Sequence, residues 1–251
     1  MSVSLRLPSI GPFVTPFDGR EIVYWEDERS LTWLSRTMAN KPFAKIVRFY
    51  EAQADKFMCG PATVAIVLNA LKMDSPNQLP LDSEHERFAQ QMNSTLPQDY
   101  CASFARYTQK NIFDNHSRVK TLAEVYGNLC SNKLFSPGLN LSEMHELLLC
   151  HGVSSKLNYV TEPLSECHFD NICHALSSTD QYIIANFDRA IWGLNGGGHV
   201  SPIGALDLAS RRALIVDVNM CGKWLWIDIN LLIKSMAGLD GIKPRGYLIV
   251  S

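Results

Sequence analysis

No basic run, no long apolar run and no even cysteine framework marks this 251-residue chain. Its 23 Lys and Arg face 25 Asp and Glu, a formal charge of −2. That balance provides no electrostatic footprint for nucleic acid or for an anionic membrane. Apolar stretches such as 63–68 fall far short of the roughly 18 residues a membrane span needs. Pro8, Pro12, Pro16 and Asp18 interrupt the first twenty residues, so no signal-peptide apolar core forms and a cytoplasmic location is expected. Seven cysteines is an odd number for a disulfide scaffold and fits reduced thiols. Internal repeats, low-complexity tracts and Gly/Ser linkers are absent too. What is present is apolar: 46% hydrophobic residues rule out a disordered chain and suffice for a sizeable core. The expectation is a single catalytic domain over 1–251, built of two packed lobes.

The texture changes along the chain. From about 27 to 151 the pattern is mostly helical, with apolar residues three and four apart in 42–53, 81–92, 99–112 and 141–150. Pro42 and Pro97 suit first helical turns, and Ser142 with His145 and Glu146 reads as a helix start after Gly138. From about 152 to 251 short β-rich runs follow at 181–187, 199–206, 213–218, 224–227 and 247–250, divided by turn signals at 195–198, 209–212 and 221–222. A helical N-terminal half and an antiparallel β C-terminal half make an α+β fold, with a site expected in the cleft between them.

Cys59 stands at the mouth of an apolar helix, in the run Cys59-Gly60-Pro61-Ala62-Thr63. The positive end of a helix dipole favours thiolate, the nucleophilic form of a thiol. Six residues upstream, the Gln53 carboxamide can donate beside the first N–H groups of that helix, making a place for a developing oxyanion. A small buried hydrophobe is the other reading of such a cysteine. A second cluster, Gly196-Gly197-Gly198-His199, lets backbone or ligand approach an imidazole closely, which a packed core histidine does not need. His199 follows Cys59 by 140 residues, inside the separation of about 130–150 typical of papain-type cysteine and histidine pairs. Asp217, at the end of the next strand, completes a Cys–His–acid set if a hairpin brings it to His199; otherwise it is a strand-end turn residue.

These segments resemble the phytochelatin synthases, a family with the papain-like cysteine-protease fold. The similarity lies in Gln53-x5-Cys59-Gly60, in Val67-Leu68-Asn69-Ala70-Leu71 and in Thr108-Gln109-x-Asn111-x-Phe113. It continues in Asn186-x-x-Arg189, Gly-x-Gly-His199-x-Ser201-Pro202, Asp217-Val218 and Arg245-Gly246-Tyr247, so it spans most of the chain from about Leu7 to Val250. The length is that of the family's catalytic domain without the Cys-rich extension of the plant enzymes, as in the short prokaryotic forms. The resemblance implies glutathione as substrate: Cys59 attacks its Cys–Gly carbonyl, and a γ-Glu-Cys thioester passes to water or to a second glutathione. It also implies Asp240 and Arg245 as the pair holding the γ-glutamyl ammonium and carboxylate, with Gly198 and Arg189 beside the substrate. No cofactor is implied as bound obligatorily; a thiophilic divalent metal such as Cd or Zn would act as its glutathione thiolate. A homodimer is the assembly considered.

One departure bears on the acceptor. Where the family carries an Arg-x-Lys-Tyr-Pro-Pro stretch after the acid, this chain has Asn219-Met-Cys-Gly-Lys-Trp224-Leu-Trp226, so hydrolysis is expected to be at least as prominent as transfer. Other patterns tempt and fail. Cys167-His168 and Cys173-His174 lie six residues apart, matching neither a CxxC knuckle nor helical ligand spacing, and Leu149 replaces the second histidine of a zincin motif begun by His145-Glu146. Cys221 reads as a turn cysteine, and Trp224 and Trp226 as packing. Two further readings remain open: a papain-like peptidase of the bacteriocin-processing type, and a non-catalytic thiol- or metal-binding module.

Overall fold

The computed structural model describes residues 22–75, 78–80, 87, 91, 105–114, 119–127, 137–220 and 222–251. The expectations for 1–20, for Pro97 and for Cys221 lie outside them, as does nearly all of the helix expected over 81–92.

An antiparallel sheet organises the described chain. Its strands are β1 (Val23–Tyr24), β2 (Ser155–Tyr159), β3 (Tyr182–Asp188), β4 (Gly198–Asp207), β5 (Arg212–Ile215), β6 (Leu225–Asp228) and β9 (Gly246–Val250), in the order β1-β6-β5-β4-β3-β9-β2. A separate hairpin joins β7 (Leu239–Asp240) to β8 (Lys243–Pro244). The central strands read as nearly unbroken apolar runs because both faces are covered. β4 is buried at every residue after Gly198, and β3 at every residue before Asp188.

Alternation along each strand divides the core in two. Ile184, Val200, Leu214, Trp226 and Leu248 face a layer containing α3 (Cys59–Lys72). Ile183, Ile203, Ile215, Ile227 and Tyr247 face the opposite way. The first layer is built with α1 (Arg29–Arg36), α2 (Phe43–Arg48), α4 (Leu122–Val125) and α5 (Leu141–Cys150). The second is built with α6 (Cys167–Leu176) and α7 (Ile229–Ser235). The fold is α+β, a mixture of helices and antiparallel sheet. The expected division into halves is only approximate, since β1 joins the sheet from the N-terminal side and α6 and α7 lie in the β-rich half.

The longest described helix is α3, buried from Gly60 through Ala70. Its near-continuous apolar sequence suits a helix packed on several sides. Gly60 permits the closest approach at its start, where an added Cβ would lie 3.1 Å from Leu139 Cβ. α5 occupies the segment expected, but its start is set earlier than Ser142: Asn140 and Glu143 form a reciprocal capping box. The helix expected over 99–112 is corrected within its described part. Asn111 Oδ1 accepts from Thr108 N–H at 2.7 Å and Asn111 Nδ2 donates to Arg106 O at 3.0 Å, so side-chain bonds replace helical ones and leave one 3-10 turn at Asn111–Phe113. α6 has no counterpart among the expected elements. Its Cys-His pairs mask a helical spacing that buried Phe169, Ile172, Cys173 and Leu176 carry. Among the described residues, no helix is long and apolar enough to cross a membrane.

Candidate active site

Cys59 is the first residue of α3, and the first intrahelical bond runs from Ala62 N–H to Met58 O at 2.8 Å. The amides at the mouth of the helix, that of Cys59 included, precede any helical partner. Cys59 is a free, partly buried thiol.

β4 brings His199 to this helix mouth. Its glycine approach forms a turn after β3, where Arg189 N–H donates to Gly197 O at 3.1 Å and pins the loop. The hairpin partner β5 ends at Ile215, short of the expected 213–218 run, yet Val216 N–H still donates to Pro202 O at 3.0 Å and carries the chain to Asp217 alongside. His199 Nε2 donates to Asp217 Oδ1 at 2.7 Å, with His199 only 5% and Asp217 2% exposed. Nε2 being engaged, Nδ1 is the ring nitrogen left for Cys59. Burial works against the charged imidazolium, but hydrogen bonds with Asp217 and Cys59 and the charges of both outweigh it and raise His199 to about 9. Burial likewise pushes Asp217 up; bonds from His199 and Asn219 N–H, with the charges of His199 and Arg189, reverse that and hold its carboxyl below the usual range.

Gln53 is buried in the loop before α3, its N–H donating to Val218 O at 2.7 Å. Its Nε2 spends one N–H on Asp55 O at 2.6 Å and retains a second; Oε1 is buried with no hydrogen-bond partner. Asp240 and Arg245 are brought together by the β7–β8 hairpin, with Arg245 Nη1 3.7 Å from Asp240 Oδ2. Asn186 joins them, accepting from Arg245 Nη1 at 2.6 Å and donating to Asp240 Oδ2 at 3.0 Å. Arg245 Nε is buried without a partner. Gly198 leaves room for this guanidinium: an added Cβ would lie 2.6 Å from both Nη1 and Nη2. Arg189 sits against the acid, its Nη2 3.9 Å from Asp217 Oδ2.

Three contributions were given no role by the sequence, although Asn186 and Ser201 stand in its family-like motifs. Ser201 Oγ lies 3.1 Å from His199 Nε2 and accepts from Val218 N–H at 3.3 Å. Tyr50 OH donates to Asp217 O at 2.9 Å. Asn186 is a buried amide within an otherwise apolar strand, and that was its available signal, since a buried polar group demands partners. The tempting cysteine–histidine pairs do not converge on one point. Cys167 is exposed, Cys173 is buried, and His168 Nδ1 lies 3.3 Å from Tyr247 OH. Among the described residues no group of three or more His, Cys, Asp or Glu is placed to hold a metal ion.

The family model for phytochelatin synthase matches residues 20–247, which includes the whole of this arrangement. The chain belongs to the phytochelatin synthase family. Relatives agree with it. The chain is 30% identical over 116 residues to a glutathione gamma-glutamylcysteinyltransferase of Schizosaccharomyces pombe, covering 45% of this chain and 28% of that protein. It is 25% identical over 214 residues to glutathione gamma-glutamylcysteinyltransferase 3 of Lotus japonicus, covering 83% of this chain and 37% of that one. To glutathione gamma-glutamylcysteinyltransferase 1 of Arabidopsis thaliana it is 21% identical over 213 residues, again 83% and 37%. The chain thus matches about a third of the length of these relatives.

Proposed function

We propose that this chain is a papain-like glutathione γ-glutamylcysteinyltransferase whose chief acceptor is water. The observation that carries the reading is the buried His199–Asp217 pair, with the free ring nitrogen left to Cys59 at the mouth of α3. Cys59 thiolate attacks the carbonyl of the Cys–Gly bond of glutathione. The oxyanion is held by the Cys59 N–H and the spare N–H of Gln53 Nε2, and imidazolium His199 gives its proton to the departing glycine amine. Water then attacks the γ-Glu-Cys thioester as His199 accepts its proton, and the tetrahedral intermediate expels Cys59 as thiolate, restoring the thiolate–imidazolium pair and releasing γ-Glu-Cys. Transfer to a second glutathione follows the same course with its amine in place of water. Asp217 holds the ring and stabilises its charge.

Arg245 and Asp240 take the γ-glutamyl head, the guanidinium gripping its carboxylate and the Asp carboxylate its ammonium. The minor role of transfer is supported by the turn after Asp217. Its one cation among the described residues, Lys223, is turned to Glu26 at 3.1 Å, and both side chains are 58% exposed. Trp224 is packed among Trp25, Phe43 and Tyr50. A thiophilic metal enters as part of the substrate, by capping glutathione thiols. Free thiols of this kind suit a reducing cytoplasm.

The test is product analysis by mass spectrometry after incubation with glutathione, with and without Cd or Zn. Equal amounts of glycine and γ-Glu-Cys, with longer (γ-Glu-Cys)n-Gly peptides minor, are expected. Dominant long peptides would overturn the acceptor assignment. Cleavage of a Gly-Gly leader peptide with glutathione untouched would overturn the substrate.

A further inference from the structure

Two buried side-chain amides outside the reacting groups connect the Cys59 helix to the Gln53 loop. Asn69, further along α3, donates through Nδ2 to Tyr107 O at 2.8 Å and accepts through Oδ1 from Tyr107 N–H at 2.8 Å. Gln109, two residues past Tyr107, repeats the device on the catalytic loop. Its Nε2 donates to Ala52 O at 2.9 Å and its Oε1 accepts from Ala54 N–H at 2.9 Å. The two bonds fall on the residues either side of Gln53, whose own N–H is held by Val218 O at 2.7 Å, one residue past Asp217. The 51–53 stretch has no helix or strand of its own, so its buried polar groups depend on these partners. Gln109 is itself only 3% exposed, and the turn carrying it is braced by Thr108 and Asn111 bonding each other's backbone N–H at 3.1 and 2.7 Å.

We propose that Gln109 is a positioning residue for Gln53, aiming its carboxamide at the developing oxyanion and tying that aim, through Tyr107 and Asn69, to the helix that carries the nucleophile. The proposal rests on Gln53 being an oxyanion donor, as proposed above. A preorganised donor is useful only where the charge develops, and Gln53 Nε2 is further tied to Asp55 O of the same loop. A shift of the 52–54 backbone therefore carries the donor with it. Gln109 acts on the transition state through Gln53 and not on the thiol.

Alkylation separates the two roles, because iodoacetamide reacts with Cys59 without forming a tetrahedral oxyanion. Four variants are compared: Gln53→Ala, Gln109→Met, Gln109→Glu, and Gln53→Ala combined with Gln109→Met. For each, kcat and KM for glycine release from glutathione are measured, with the alkylation rate of Cys59 read on its own peptide. Gln109→Met should lower kcat roughly 10²-fold, the scale of a misplacement of about 1 Å, with KM little changed. Its alkylation rate should match the unaltered protein. Gln109→Glu keeps the acceptor for Ala54 N–H but has a donor for Ala52 O only when its carboxyl is protonated, so its loss should be smaller at low pH than at high. The double variant should be no slower than Gln53→Ala alone, because an unaimed donor and a missing one are equivalent. An unchanged kcat in Gln109→Met, or a double variant whose loss is the product of the singles, overturns the proposal while Gln53→Ala retains its own effect. Alkylation falling in step with kcat assigns Gln109 to folding alone and overturns it too. If Gln53→Ala itself leaves kcat unchanged, the oxyanion reading fails first and the proposal falls with it.

Discussion

Around His199 the side chains of His199, Asp217 and Ser201 satisfy one another, with Gln53 Oε1 left over nearby, whereas at the Arg245 end the cation itself keeps bonding capacity in hand. Asp217 Oδ1 accepts from both His199 Nε2 and Asn219 N–H, and Ser201 Oγ is engaged by His199 and Val218. Arg245 is held through Nη1 by Asn186 and Asp240, yet its Nε is buried without a partner; Arg189, beside Asp217, also leaves its Nε unpartnered. An unpaired buried donor is costly unless something else completes it. A catalytic pair must hold its geometry before substrate arrives and is complete without it. On the proposed reading, Arg245 is in a head-group site, which gains its affinity by leaving donors for the carboxylate it is to receive. Substitutions at the first end should therefore act on kcat, and those at the second on KM.

The largest effects belong to the first end. Cys59→Ala and Cys59→Ser should each abolish glycine release from glutathione with the fold intact by circular dichroism, and His199→Ala should lose a comparable amount. Gln53→Ala should lower kcat by roughly 10²–10³-fold, the usual consequence of losing one oxyanion donor. Asp217→Asn should fall short of the His199→Ala loss, since an amide still orients the ring but stabilises imidazolium less. Its pH dependence is the sharper reading. With His199 raised to about 9 from an ordinary 6.5, the imidazolium and the stability it brings are fully present below pH 6.5 and are lost as pH rises through about 9. The alkaline limb of the unaltered protein should lie there, and in Asp217→Asn it should move to lower pH.

Gly198→Ala probes the second end. Its new Cβ would occupy the space of the Arg245 guanidinium, and KM for glutathione should rise about tenfold or more as a charge-assisted bond is lost. A kcat loss with KM unchanged would erase the distinction between the two ends. The smallest effect is expected at Lys223→Ala, which breaks only an exposed pair with Glu26. Hydrolysis and transfer should both be unchanged, and a selective loss of transfer would make Lys223 an acceptor contact.

Much of the fold is legible in the amino-acid sequence. The short β-rich runs locate β3, β4, β5, β6 and β9 to within two or three residues, because strands buried on one or both faces leave a strong local signal. α5 is legible through its helical period in the same way. The 105–110 segment is not helical despite its spacing, because Asn111 and Thr108 offer the backbone competing bonds. α6 and α7 leave weaker signals, since Cys-His pairs in one and the brevity of the other mask helical spacing. Gln109 and Asn69 are visible only as family-like letters, since an amide's role depends on which distant backbone it meets.

By itself the sequence determined the kind of chemistry available: a thiol at a helix mouth, a histidine entered through glycines, an acid at a strand end. Those are local properties, set by dipole, backbone freedom and hydrophobic period within a few residues. Only the tertiary structure decided which of them meet. Register between β4 and β5 puts Asp217 on His199 Nε2 and so leaves Nδ1 to Cys59; packing sends Arg189 to Asp217; and the β7–β8 hairpin joins Asp240 to Arg245 through Asn186. Each of these pairings spans a turn or a strand crossing, and their distances follow from hydrogen-bond register and packing across the sheet, which no local pattern encodes.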